Sequence, residues 1–344
     1  MKKSLLALAA LTAFAGVASA QSSVTLFGVI DANVRNVKTS AGSLKTLSTD
    51  GMGSSRLGVR GVEDIGGGLR AGFWLEGSVN VDVGGGAKTA ATGVVGSNAG
   101  GQDWQRRATV SLMGGFGEIR LGRDYTPDFW NHTIFDPFGT NGVGSSVNTF
   151  STLNGATTLV RANNSLGYFL PGGLGGLYGQ VMIAAGEGTD ANKHLGFRFG
   201  YAAGPLNVAF SYGTTDTAVK YKRTNIGGSY NMGFMRAMAQ YNISDGGAGG
   251  KITHLLLGGV VPLGTNALKF SYIRSDGSGA IAARDATQIA LGYQHNLSKR
   301  TAVYGNFARI GNKGTANYRA SSTALANAAG QASTGYEFGV NHSF

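Results

Sequence analysis

A two-residue alternation of apolar and polar side chains runs through this chain and continues to its last residue. The final ten residues read GYEFGVNHSF. Tyr336, Phe338, Val340, His342 and Phe344 fall on one side, and Glu337, Gly339, Asn341 and Ser343 on the other. A period of two belongs to an extended strand with unlike faces, because successive Cβ atoms point to opposite sides of a sheet. Chain ends are ordinarily frayed and polar. A terminal strand of this kind therefore needs a neighbour for its backbone and an apolar medium for its aromatics.

The same pattern recurs along the chain. In SVTLFGVIDANVR, Val24, Leu26, Gly28, Ile30, Ala32 and Val34 lie opposite Asp31, Asn33 and Arg35. In SRLGVRG, Leu57 and Val59 oppose Arg56 and Arg60, and in LRAGFWLEGSV, Leu69, Ala71, Phe73 and Leu75 oppose Arg70, Trp74 and Glu76. Later segments repeat it, with Leu206, Val208, Phe210 and Tyr212 on one face and Ile289, Leu291 and Tyr293 on another. These are half-apolar strands.

The connections alternate in length. Short, Gly- or Pro-marked turns are expected at 63–68, 114–117, 171–176, 202–205, 231–233, 262–266 and 296–300. Longer loops are expected at about 36–53, 80–104, 124–160, 186–193, 214–220, 244–250, 275–285 and 311–333. Seven turns and eight loops make fifteen connections, hence sixteen strands. An even number of strands, with short turns at one end and long loops at the other, is the pattern of a transmembrane β-barrel. A soluble β-sandwich would turn its apolar faces inward and gives no reason for the lengths to alternate. Lipid cannot satisfy an open sheet edge, so a membrane-spanning sheet must close on itself. Closure pairs the last strand with the first, which accounts for the ordered terminus. Tyr336 and Phe344 would then sit near the two aromatic girdles.

The first residues, MKKSLLALAALTAFAGVASAQSS, combine Lys2 and Lys3, a short apolar run and the small-residue site Ala18-Ser19-Ala20. This is the form of a secretory signal peptide over 1–20, cut before Gln21, and the run is too short for a comfortable membrane anchor. The chain has no cysteine, which excludes disulfides, thiolate metal sites and a Cys nucleophile. Gly is abundant, 58 of 344 residues, but it is interleaved with aromatic and branched residues, unlike low-complexity disorder. The net charge is +11, or +9 without Lys2 and Lys3. Export and the scattering of the basic residues argue against a nucleic-acid partner.

Five segments in order, SSVTLFGVIDA, SRLGVRGVEDIGGGLRAGFWLE, GGFGEIRLGRDYTP, DPFG and the strand ending at Phe344, resemble the general porins of the Gram-negative outer membrane, most of all the beta-proteobacterial branch. The resemblance spans the whole chain after residue 20. It implies an all-β, 16-stranded antiparallel barrel that assembles as a homotrimer. It implies a third external loop, about 124–160, folded into the barrel to narrow the pore. It also implies that Phe344 is the signal read by the barrel-assembly machinery, with lipid and lipopolysaccharide as the surrounding partners and no cofactor.

Arg56, Arg60, Arg70, Arg107, Arg120 and Arg161, with Arg35, fall on polar faces. A basic side chain facing lipid at mid-membrane costs about 2–4 kcal/mol in a barrel, so these are expected to line the lumen. The family's constriction arginines correspond by motif to Arg56, Arg123 and Arg161. Parity from Ile119 and Leu121 aims Arg123 at lipid; either a bulge at Gly122 turns it inward or Arg123 lies beyond the strand end. The constriction loop carries Asp128 and Asp136, expected to face the basic wall, and Glu76 and Glu118 are further acids of the lumen. Opposed walls of charge filter ions, and a lumen with excess cations prefers anions.

A barrel enzyme would need a nucleophile, a His and an orienting group within reach. None of His132, His194, His254, His295 and His342 sits in such a motif. The stretch GGGAKT at 84–89 lacks the spacing of a phosphate loop. No spaced carboxylate loop marks a Ca²⁺ site, and the polar lumen faces disfavour a purely structural or adhesive barrel. A channel dedicated to phosphate or organic anions on the same fold remains as the alternative to a general diffusion pore.

Overall fold

Alternation becomes closure in the computed structural model, which describes residues 23–86, 102–150, 160–188, 192–217 and 219–344. The segment 1–20, most of the loop at 80–104 and the end of GGGAKT lie outside the described residues. The strands are β1 (Ser23–Thr39), β2 (Gly42–Thr49), β3 (Arg56–Gly66), β4 (Leu69–Ser78), β5 (Arg107–Gly114) and β6 (Gly117–Tyr125). They continue as β7 (Arg161–Phe169), β8 (Leu177–Ala184), β9 (His194–Ala203), β10 (Leu206–Thr215), β11 (Tyr221–Asn231) and β12 (Arg236–Asp245). The last are β13 (Lys251–Leu263), β14 (Asn266–Ser278), β15 (Arg284–Asn296), β16 (Thr301–Gly314) and β17 (Ser333–Ser343). One α-helix, α1 (Pro127–Ile134), lies in the third loop.

Each strand pairs antiparallel with its neighbours, and β17 pairs back onto β1. β2 and β3 both pair with β1, β2 with its Ala32–Thr39 half and β3 with its Ser23–Val29 half. They are two pieces of one stave, so the barrel has sixteen staves, as its sequence pattern requires. The expected loop at 36–53 is therefore corrected. β1 and β2 form a tight hairpin at Ser40-Ala41, and residues 50–55 break the stave by folding inward. Asp50 takes a left-handed φ of 64° at the break. The Asp31 carboxylate accepts hydrogen bonds from the backbone N–H of Gly51, Met52 and Gly53 at 2.9–3.0 Å. The connections around 244–250 and 275–285 also shrink to five residues each, because the flanking strands run on into them.

The faces divide as the alternation demands. Leu26, Val34, Leu121, Ile226, Leu291 and Phe338 are exposed on the outside, Phe338 at 69%. On the other parity Asn33, Asn225, Gln240, Asn242, Gln288 and Glu337 are buried inside the barrel. The interior also holds an apolar cluster. Val37, Ala308 and Ile310 of the wall pack with Phe138 and Val143 of the third loop and Ala320 and Ala324 of the last loop.

Closure has a specific seam. Gly28 and Phe344 exchange backbone hydrogen bonds at 3.1 Å in both directions. A Cβ on Gly28 would overlap the Phe344 ring, so the terminal aromatic lies flat across a position that only glycine leaves open. Replacing Gly28 by Val should displace that ring and destabilise the seam by about 1–3 kcal/mol, the usual cost of overpacking. The check is the temperature at which the folded barrel converts to the slower-migrating unfolded band on a gel. It should fall for Gly28→Val, and an unchanged temperature would show that the seam does not depend on this contact.

Candidate pore constriction

The third loop opens with a well-specified helix. Thr126 caps α1 by accepting from the Phe129 N–H, Pro127 occupies its first turn and Asp128 sits at its positive end. The buried side of α1 then docks on the barrel wall. Arg198 Nε of β9 donates to Asn131 Oδ1 at 2.8 Å, Asn131 Nδ2 donates to Asn225 of β11, and Gln240 Nε2 of β12 donates to the His132 carbonyl at 3.1 Å. Further along, His254 Nε2 meets the Thr149 carbonyl at 2.9 Å, and Gln288 Nε2 donates to the carbonyls of Gly144 and Ser145. Glu337 of the terminal strand accepts from the Val143 N–H at 3.1 Å and pairs with Arg35 at 2.8 Å. The loop is thus anchored across staves β9 to β17. His132 is buried between Asn242 and Ser146. Burial, with the Arg223 charge nearby, holds its imidazole well below its usual pKa, so it packs as a neutral ring.

The two loop acids are where the sequence expectation fails. Asp128 does not face the basic wall. It is buried behind α1, 3.5 Å from Arg223 and 3.8 Å from His194. Asp136 is buried in the DPFG turn and accepts from the backbone N–H of Phe138, Thr140 and Ser146 and from the Ser146 hydroxyl. Burial pushes its carboxyl pKa up, against the pull of those four hydrogen bonds. Both acids are structural ties. Asp136 finds the unpaired N–H groups of its own turn closer than any distant arginine, and Asp128 finds Arg223 of the wall behind the helix. Among the described residues, the loop presents no carboxylate to the remaining lumen.

The other wall is built on staves β3 to β7. Glu76 sits 2.6 Å from Arg106 and 3.8 Å from Arg56. Glu118 accepts from two nitrogens of Arg120 at 2.9 and 3.0 Å. Asp124 bonds Arg120 at 2.6 Å and stands 3.8 Å from Arg107. Arg161 reaches the Tyr125 hydroxyl and the Arg106 carbonyl. Arg60 is exposed to the lumen, and Arg70 lies toward the short-turn end opposite Asp64, with no partner that brings it into this group. Among the described residues this wall gathers six arginines, Arg56, Arg60, Arg106, Arg107, Arg120 and Arg161, of which four pair with the three carboxylates Glu76, Glu118 and Asp124.

Arg123 departs from this group. A register shift does occur beside Gly122, which has a φ of 126°, but the extra residue is on β7, where Asn164 takes a φ of 53°. Arg120 and Asp124 stay joined on the lumen face, and Arg123 between them bonds the Gln105 carbonyl and the Asn163 side chain instead. The bulge does not bring it into the basic ladder.

What sequence reasoning missed is a set of aromatic plates. Guanidinium groups lie over rings at Arg60–Trp74 (5.0 Å), Arg107–Trp74 (4.5 Å), Arg120–Phe169 (3.9 Å), Arg161–Tyr125 (4.2 Å), Arg198–Tyr178 (4.6 Å) and Arg223–Phe150 (4.6 Å). A ring face attracts a cation without neutralising it. The signal was legible, since Phe27, Trp74, Phe169 and Tyr178 have the parity of the polar face.

The family model described as Gram-negative porin matches residues 7–315. Outer membrane porin protein 32 of Delftia acidovorans is 39% identical over all of both chains. The chain belongs to the Gram-negative porins. An outer membrane porin protein of Bordetella pertussis is 28% identical, over 90% of this chain and 94% of its own. The solved anion-selective porin from Comamonas acidovorans shares 36% identity and superimposes with a TM-score of 0.83, over 94% of this chain and all of that one. This porin is an outer-membrane channel barrel, not an enzyme.

The pore's ion preference should respond to the arginines rather than the loop acids. Reversing one charge beside the ion path alters the local energy by roughly 1 kcal/mol in a water-like medium. Arg60→Glu should lower the chloride-to-potassium permeability ratio about fivefold by reversal potential. Asp128→Asn, which leaves Arg223 without its buried partner, should instead raise open-channel current noise. A larger selectivity shift from Asp128→Asn than from Arg60→Glu would place that carboxylate on the ion path.

Proposed function

We propose that this porin is a passive diffusion pore for small hydrophilic solutes and ions, with a preference for anions. The observation that carries the reading is the imbalance around the lumen. The basic wall holds more arginines than carboxylates, and both loop acids are committed to the fold. In a narrow aqueous section enclosed by protein, fixed charge of one sign concentrates its counter-ions. The carboxylates of the wall, Glu76, Glu118 and Asp124, keep the preference partial. The likeness to a solved anion-selective porin, at 36% identity, supports the same reading.

The basic wall in this reading comprises Arg56, Arg60, Arg107, Arg120 and Arg161 with Arg106, and the third loop is the constriction. Three copies form the working assembly, set in lipid and lipopolysaccharide. The terminal strand, with Phe344 closing over Gly28, is the part offered to the barrel-assembly machinery. Residues 1–20 serve as the export signal.

Planar-bilayer recording across a potassium chloride gradient tests the reading. Stable conductance steps in groups of three, with a reversal potential on the chloride side, are expected. Single steps would remove the trimer, a reversal potential on the potassium side would remove the anion preference, and folded protein with no conductance would remove the pore.

A further inference from the structure

Between α1 and staves β5 to β9 lies a cavity of about 340 Å³ on the lumen side of the wall. Its lining combines three arginines, Arg107, Arg120 and Arg198, and one carboxylate, Asp124, with rings that include Trp130, Phe169 and Tyr178. The three arginines are not equally satisfied. Arg120 is held by Glu118 and Asp124 together. Arg107 donates through Nε to the neutral Thr109 hydroxyl at 3.1 Å, and its nearest carboxylate, Asp124, is at 3.8 Å, outside hydrogen-bond range. Arg198 has a neutral partner, Asn131, and a ring, Tyr178, with no carboxylate in ion-pair reach among the described residues. Two guanidinium groups therefore border the space with hydrogen-bonding capacity left over.

The rings are the second observation. Trp130 is 39% exposed, a large apolar face turned to the lumen from the outer side of a helix whose other aromatic, Phe129, is buried. A polar, water-filled pore gains nothing from an exposed indole when its solutes are hydrated inorganic ions. A flat apolar solute does gain, by stacking and by release of water from both surfaces. The volume is at the lower end of small-molecule sites, about 300–1,000 Å³, and suits a single ring with its charged group.

We infer that this cavity is a transient binding site for single-ring aromatic anions, aryl carboxylates or sulfonates, with the charged group toward Arg107 and Arg198 and the ring against Trp130. Guanidinium forks match a carboxylate or sulfonate edge, and the same groups tolerate a neighbouring ring face. The inference rests on the anion-preferring pore proposed above and deepens it. A charge filter ranks anions by charge and size, whereas this site adds a preference for flatness.

Single-channel current through the intact porin, at fixed chloride, with benzoate, cyclohexanecarboxylate or acetate added, tests it. The reversal potential is read before any acid is added, so a failure of anion preference is seen separately and would overturn both readings. The expected result is a saturable current block by benzoate, about tenfold stronger than by acetate and several-fold stronger than by cyclohexanecarboxylate. Trp130→Leu should abolish the advantage over cyclohexanecarboxylate, and Arg198→Gln should weaken the block by benzoate and cyclohexanecarboxylate alike. Should Trp130→Leu fail to assemble, Phe169→Leu on the barrel wall is the substitute, with the same loss expected. Equal block by all three acids, or by the two ring acids, would overturn the site while leaving the anion preference intact. So would a benzoate advantage that survives the ring substitutions.

Discussion

Everything in this barrel follows from the pairing of β1 with β17. In lipid an unpaired strand edge leaves a row of N–H and C=O groups with no partner, each costing several kcal/mol. The sheet is viable only when its first and last staves meet. The seam joins ten consecutive residue pairs, from Val29 opposite Ser343 to Lys38 opposite Thr334, and ends with Phe344 bonded across Gly28. Closure fixes the outside as apolar and creates an inside to be filled. Glu337 makes the link between the two. Its strand closes the barrel, and its carboxylate, 0% exposed, binds Arg35, Asn306 and the backbone of Val143 in the third loop. The constriction is therefore hung from the closing seam itself.

The interior then sorts charge by the distance to the nearest donor. Acids that lie near unpaired backbone N–H groups become ties: Asp31 holds the inward break at 50–55, and Asp136 holds the DPFG turn. Asp128 is drawn to Arg223 behind α1. A guanidinium only donates, so the arginines cannot use those N–H groups and turn to carboxylates and backbone carbonyls, as Arg56 does to Ser54 and Arg161 to Arg106. Those of β3 to β7 remain along the open side of the lumen, several resting on ring faces that orient them without cancelling their charge. The same asymmetry between acceptors and donors thus produces a rigid loop and a basic pore wall.

The architecture is legible in the sequence because closure imposes a period that every stave must obey. All seven short turns fall between the expected strands, and the outward residues of β1, β10 and β15 are those of the apolar parity. The first hairpin reads as a loop because SAGSLKTLSTD is rich in Ser and Thr, which weakens the alternation. The site is legible only in part. Strand parity places Arg56, Arg107 and Arg120 but does not reach into a folded loop, and the resemblance that set Asp128 and Asp136 against the basic wall carries no information on their partners. Arg106 escapes it by preceding its strand, and Arg198 and Arg223 because nothing local marks them out from other lumen-parity residues. Arg123 is misplaced because a glycine names the place of a bulge but not which strand carries the extra residue.

The central claim is that basic groups outnumber free acids along the open side of the lumen, with the acids of the constriction loop committed to the fold. Crystals of the porin soaked in rubidium bromide test it most directly, since both ions can be located by their anomalous scattering. The account predicts bromide along the arginines of β3 to β7 and no rubidium at Asp128 or Asp136. Rubidium bound to either loop carboxylate, with the arginines left bare, would contradict it.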